Sequence, residues 1–234
     1  MKRAAFFAAA LAALALPAAA RAEPDQAERA DGHGAPEVLL GIGARGLLLP
    51  NAGYEPYSSN ELMFQLALTG GLTILQARDV ALIAFAEWDW GTTSADARAG
   101  SASLAMHRFA GGLEARFGLG RRLFLSVKAA PAAIYLPSSI QEPSSNTTLT
   151  AHPWTWALDT TGSLGVMLGS VKARRAPVRF WLGAEVGYSF AGAATMAFTG
   201  QPQDSTDTRT FGAVMLPAFR PSGGVSRLFF NVTF

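Results

Sequence analysis

From Pro36 to the end of the sequence, apolar and polar side chains alternate with a period of two in segments about a dozen residues long, the pattern of strands with two unlike faces. Eight such segments can be marked, at 37–49, 61–75, 79–92, 102–118, 122–136, 154–169, 178–196 and 223–234. One parity of each is apolar and uncharged, as in Leu62, Phe64, Leu66 and Leu68, or Leu228, Phe230, Val232 and Phe234. The complementary parity carries Arg45, Glu87, Asp89, Arg108, Glu114, Arg116, Lys128, Asp159, Glu185 and Arg227, five cations against five anions.

The connections alternate in length. Those after the second, fourth and sixth segments are brief, whereas those after the first, third, fifth and seventh are longer; Pro137–Pro153 and Ala197–Ser222 are rich in Ser, Thr, Asn, Gln, Asp and Pro. Antiparallel strands joined by alternately short and long connections predict an all-β, eight-stranded up-and-down barrel that crosses a membrane. The face pattern by itself also suits a soluble sandwich, which would hide the apolar parity and expose the charges.

Aromatic positions favour the membrane. Trp88, Trp90, Tyr135, Trp154, Trp156, Tyr188 and Phe190 fall at the long-loop ends of their segments and Phe117 and Phe180 near the other ends, as two interfacial belts require. In a narrow barrel the ten charges would fill the lumen, with Gly41, Gly43, Ala67, Gly71, Gly112, Ala130, Gly165, Gly183 and Gly187 leaving room for long neighbours. Symmetric pairing about a connection centred near Ala97 and Arg98 sets Glu87 opposite Arg108. Pro131 lacks an N–H and predicts a bulge or a loss of pairing in the fifth segment.

The N-terminal composition differs. Lys2 and Arg3 precede the apolar run Ala4–Ala20, and Ala20-Arg21-Ala22 supplies a small-residue cleavage site, the arrangement of a cleavable signal peptide over residues 1–22. Residues 23–35 show no period and are expected to form a flexible periplasmic tail, with residues 36–234 the barrel. The 19 basic and 17 acidic residues give +2, but without Lys2, Arg3 and Arg21 the balance is 16 against 17. That balance removes the compositional support for nucleic-acid binding. With no cysteine there is no disulfide, lipid-anchoring thiol or cysteine-ligated metal.

The apolar residues Leu228, Phe230 and Val232, with the aromatic Phe234 last, resemble the C-terminal signal of bacterial outer-membrane β-barrel proteins, which the barrel-assembly machinery reads. With the loop asymmetry and inward charges, residues 36–234 resemble the small eight-stranded outer-membrane barrels, the class that includes OmpX, the membrane domain of OmpA, and OmpW. The resemblance implies an outer-membrane location, contact with lipid, a monomer and no cofactor. Three roles follow as expectations. The first is a non-enzymatic barrel with an envelope-structural or surface-contact role. The second is a narrow pore for small solutes, apolar ones included as OmpW implies. The third is a lipid-modifying enzyme.

Other motifs add little chemistry. Gly41-Ile42-Gly43-Ala44-Arg45-Gly46 fits a dinucleotide fingerprint, but a continuing strand follows where a helix is needed. Asn146-Thr147-Thr148 and Asn231-Val232-Thr233 are chance glycosylation patterns in a bacterial-type envelope protein. His33 lies in the tail, His107 falls on the apolar parity near the outer rim and His152 ends a loop. The Phe-His-x-Ser pattern of lipid A deacylases is absent, so no catalytic, cofactor or metal residue is assigned; His107 and His152 are the positions at which the enzymatic expectation would be tested.

Overall fold

The computed structural model describes residues 37–97, 100–120, 122–142, 147–172, 177–201 and 214–234. The expected signal peptide and tail, His33 with them, lie outside the described residues. Eight strands, β1 (Val38–Leu48), β2 (Leu62–Ala77), β3 (Val80–Ala97), β4 (Gly100–Gly118), β5 (Leu123–Tyr135), β8 (Trp154–Val171), β9 (Val178–Ala191) and β12 (Gly223–Thr233), pair antiparallel in that order. The ring closes where β12 pairs with β1, Leu40 facing Val232. Four further strands stand in the last two long connections: β6 (Ser138–Glu142), β7 (Thr147–Ala151), β10 (Ala194–Gln201) and β11 (Val214–Phe219).

These four strands lie in connections that the sequence marks only as long and polar. At the end opposite the short turns, β6 pairs with the start of β4, β7 with β6, β10 with β7 and β11 with β10. The third connection is also shorter than expected. Strands β3 and β4 run on past Thr92 and before Ala102 as one ladder that ends at Ala97 and Gly100. The seventh segment stops at Ala191 rather than 196, because Gly192 and Ala193 break the ladder before β10. The result is a sheet of β3, β4, β6, β7, β10 and β11 rising above one rim of the barrel.

The first connection folds against this extension. A short 3-10 turn, Glu55–Tyr57, presents Tyr54 and Tyr57 inward. Thr93 donates to the Tyr57 carbonyl at 3.2 Å, and Asn51 donates to the Arg220 carbonyl at 2.9 Å. The first connection thereby touches both flanks of the extension.

At the other rim the connections are tight. Arg78 and Asp79 alone separate Ala77 from its partner Val80, with Arg78 at φ 50°, a left-handed conformation more natural to glycine. Gly120, at φ 78°, supplies that conformation between β4 and β5.

Pro131 acts as its chemistry requires. Pairing of β5 with β4 lapses between Ala132 opposite Ala110 and Ala129 opposite Leu113, then resumes with no change of register. Gly112 faces this gap, where a Cβ would run into the Ala129 carbonyl. Bulges occur instead between Thr73 and Leu75 and between Met167 and Gly169.

Candidate functional site: a lumen closed by ions and by an apolar cap

The apolar parity faces outward. Phe64, Leu66, Leu68, Leu113, Leu125, Val127, Leu182, Val186 and Leu228 are exposed around the barrel wall, Phe64 and Leu228 to 70% and 61%. Trp88, Trp90, Trp154, Trp156, Tyr188 and Phe190 are exposed above them, near the rim that carries the extension. Tyr135 packs among them, its ring centroid 4.9 Å from that of Trp154. Phe117 and Phe234 are exposed toward the short-turn rim, where Phe180 stacks on Phe230 at 6.2 Å. An outward surface this greasy has no partner among the described residues.

The complementary parity points inward, and its middle rows hold the charges. Arg45 spans the lumen from β1 with one guanidinium nitrogen 2.7 Å from Asp89 Oδ2 and the other 2.7 Å from Asp159 Oδ2. Arg108 lies 2.6 Å from each of the same two oxygens. Two arginines and two aspartates thus form a closed ring of alternating charge joining β1, β3, β4 and β8 across the lumen. All four side chains are at most 4% exposed. Planar guanidinium forks suit this, since each can donate to two carboxylates at once.

A second group lies below the ring. Glu87 pairs with Arg108 at 2.9 Å, with Lys128 at 3.3 Å and closely with Arg227. Lys128 also reaches Glu185 at 2.9 Å. Thr69 donates to Glu87 at 3.2 Å and accepts from Arg227 at 2.5 Å. Arg45 and Arg227 face each other directly across the β1–β12 seam. Such a like-charged pair is unfavourable; here Arg45 is taken up by the aspartates of the ring and Arg227 by Glu87. The four cations Arg45, Arg108, Lys128 and Arg227 are matched by Glu87, Asp89, Asp159 and Glu185, as burial of charge demands. Arg116 and Glu114 pair apart from them at 3.0 Å.

One register expectation is corrected. Asp89, rather than Glu87, stands opposite Arg108, and Glu87 stands opposite Ala110. The β3–β4 turn is centred one position further along than symmetric pairing about Ala97 and Arg98 assumes, which moves every partner by two. Glu87 still meets Arg108, on the diagonal, because two rows in a strand lie within reach of a long side chain.

Glycines make the space for these residues. A Cβ on Gly43 would stand 2.8 Å from Arg227 Nε, and Cβ atoms on Gly165 and Gly183 would strike the rings of Phe124 and Phe229. Those rings form the lower layer with Phe85 and Ile83. Arg116 lies over Phe124 at 4.1 Å and Lys128 over Phe85 at 5.0 Å, as cations do over ring faces. Beside Glu185 and Asn231 a cavity of about 20 Å³ remains, room for about one water.

Above the ions the lumen is apolar, contrary to the expectation of a lumen filled by charge throughout. Leu47, Met63, Leu104, Met106, Ile134 and Val225 point inward from the barrel strands and Leu136 from just past the end of β5, with Leu49, Tyr54 and Tyr57 from the first connection above them. Met196, Phe198 and Phe219 come down from β10 and β11 to complete this cluster, and Tyr54 stacks on Phe219 at 6.0 Å.

Hydrogen-bonding residues that charge reasoning passed over complete the lumen: Gln65 and Thr69, and the buried Ser126 and Ser163, whose hydroxyls are 2.6 Å apart. Their signal was the parity they share with the charges. His107 lies outside, stacked on Trp88 at 6.4 Å and tilted against Tyr135 at 6.1 Å. His152 meets the Tyr135 hydroxyl at 3.3 Å.

No family model and no curated protein matches the chain. Among solved structures it is similar to the transport unit of the autotransporter AIDA-I from Escherichia coli, with 9% identity and a TM-score of 0.36, over 90% of this chain and 92% of that one. It is also similar to the translocator domain of the autotransporter NalP from Neisseria meningitidis, with 10% identity and a TM-score of 0.22, over 99% of this chain and 96% of that one. At that level of superposition neither carries an argument about function.

Proposed function

We propose that the chain is a non-enzymatic, non-conducting β-barrel of the bacterial outer membrane, exported behind a cleaved signal peptide and embedded as a monomer in lipid. Its role is structural or adhesive, exercised through the six-stranded extension outside the cell. Kinship with the OmpX, OmpA and OmpW class, and assembly through the Phe234 strand, belong to the same proposal.

The opposition of the two faces carries this reading. Between the aromatic rows no outward residue of the described strands is charged, whereas the inward rows bury eight charges in pairs. Water would reward the reverse arrangement; lipid rewards this one. The alternating ring and the cap of Tyr54, Met196, Phe198 and Phe219 occupy the path that a solute would need.

Single-channel recording in planar bilayers tests the closed state. Folded wild-type protein is expected to add no conductance steps. Steady open-channel steps from the wild type would overturn this reading in favour of the pore.

A further inference from the structure

Above the Trp90 row, the outer surface of the extension holds a groove of about 580 Å³ lined by Thr92, Ser94, Ser103, Ser139, Thr150 and His152, among others. The register explains it. Ser94 pairs with Ser103, Ser103 with Ser139, Ser139 with Thr150, and Thr150 with Thr199, so one transverse row carries a hydroxyl on each of five strands. Neighbouring strands place these groups about 4.8 Å apart. The Ser103 and Ser139 hydroxyls are 2.7 Å from each other, and the row is open to solvent at Ser94, Ser103 and Thr199. The smaller Ala105, in the row beneath, gives the groove its depth.

Below it runs a second transverse row, Trp90, His107, Tyr135 and Trp154, paired strand to strand. His152 joins the two rows, its ring stacked on Tyr135 at 6.3 Å and 22°. Hydroxyls both donate and accept and carry no charge. The groove contains no lysine or arginine, the residues that phosphate or carboxylate recognition uses. Hydroxyls beside the His152 ring and the apolar Ala105 and Pro137 of the groove wall suit a ligand with hydroxyl edges and an apolar C–H face, and the volume lies within the range of small-molecule sites.

We propose that this groove binds an uncharged saccharide, presented as the headgroup of a membrane lipid. The saccharide chemistry stands on the groove alone; the lipid-borne source rests on the membrane reading above, because the aromatic row would hold the groove at headgroup height.

Two titrations separate these parts, both followed by the NMR signals of the His152 and Tyr135 rings. The full chain in dodecylphosphocholine micelles is titrated with maltose, and the chain in phosphatidylcholine nanodiscs is prepared with increasing digalactosyldiacylglycerol. Saturable shifts of both rings are expected in each arm, at lower saccharide concentration in the nanodiscs. Shifts with maltose but none with the glycolipid would overturn the lipid-borne source. No shift in either arm, or an equal response to phosphatidylglycerol, would overturn saccharide recognition. Ser103→Val with Ser139→Val removes the central hydroxyls without touching the lumen, and is expected to weaken both responses at least about tenfold. If that pair fails to fold, as read by heat-modifiable migration, Thr150→Val is used and should weaken them less. Unchanged binding in a folded variant would reject the site.

Discussion

At the scale of single residues, the ring of Arg45, Asp89, Arg108 and Asp159 decides the most. Each carboxylate serves two arginines, so losing one member strands two buried partners. Asp89→Asn and Arg108→Met are each expected to lower unfolding free energy by about 3–5 kcal/mol, the cost of breaking a buried pair. The double variant should lose less than the sum, because neither change then leaves its partner exposed to the other's absence. Denaturant titration of the folded barrel measures the cycle, and additive losses would reject the coupling. Tyr57 makes a different case. Burial under the extension pushes its phenol up to about 12, whereas an unfolded tyrosine ionises near pH 10. The neutral phenol's contribution is therefore complete below pH 10 and is lost as pH rises from 10 through 12, by at most about 2–3 kcal/mol. Tyr57→Phe is expected to flatten that alkaline decline. Charge membership was legible at this scale, since the parity of Asp89 and Asp159 marks them as inward. Their shared arginines were not, because sequence spacing says nothing about which strands face each other across a lumen.

At the scale of the strand, alternation carries most of the information. Six of the eight segments end within two residues of a structural strand at both ends; 178–196 runs on past Ala191, and 79–92 loses its distal part because Thr93, Ser94 and Asp96 no longer alternate with apolar residues. A ladder beyond the apolar wall of the barrel carries no greasy outer face, so its strands look like loops. β6, β7 and β10 escaped notice for the same reason, their outward positions being mostly polar, as at Ser139, Gln141, Thr150 and Thr199. The apolar cap was hidden by the opposite effect. At Leu47, Leu48 and Leu49 both parities are apolar, and only a lumen that changes from ionic to apolar along its length makes sense of that. The wall itself gives a clean test. Leu66 is 46% exposed on the outward face, and Leu66→Arg is expected to cost about 2–4 kcal/mol in a bilayer, the penalty of arginine at mid-depth. Refolding titrations in lipid vesicles would measure it, and a negligible loss would show that this face does not meet hydrocarbon.

At the scale of the whole molecule, the barrel depends on a seam. Phe234 exchanges both backbone hydrogen bonds with Val38, at 2.9 and 3.0 Å, while its ring lies on the outer surface. Phe234→Asp is expected to lower the fraction of heat-modifiable protein in the outer membrane. Normal levels from that variant would deny the seam residue any part in assembly. That the chain forms a ring was legible in the spacing of its eight segments. That the ring is roofed was not, since the roof is built from contacts between the first connection and β11 that no local pattern announces.

The seam also fixes the tempo of folding. Its ladder joins Leu40 to Val232, the two extremes of the barrel segment, so it cannot nucleate locally and must wait until the six intervening strands are in place. Rates fall as contacts become more distant in sequence, and closure entropy has to be met before such contacts repay it. Once shut, the ring has no free strand from which to fray within its wall, and the ions and cap hold it from inside. Opening must then rupture one whole ladder together. Formation should be slow and loss slower still, making lifetime rather than equilibrium the measure of this barrel's durability.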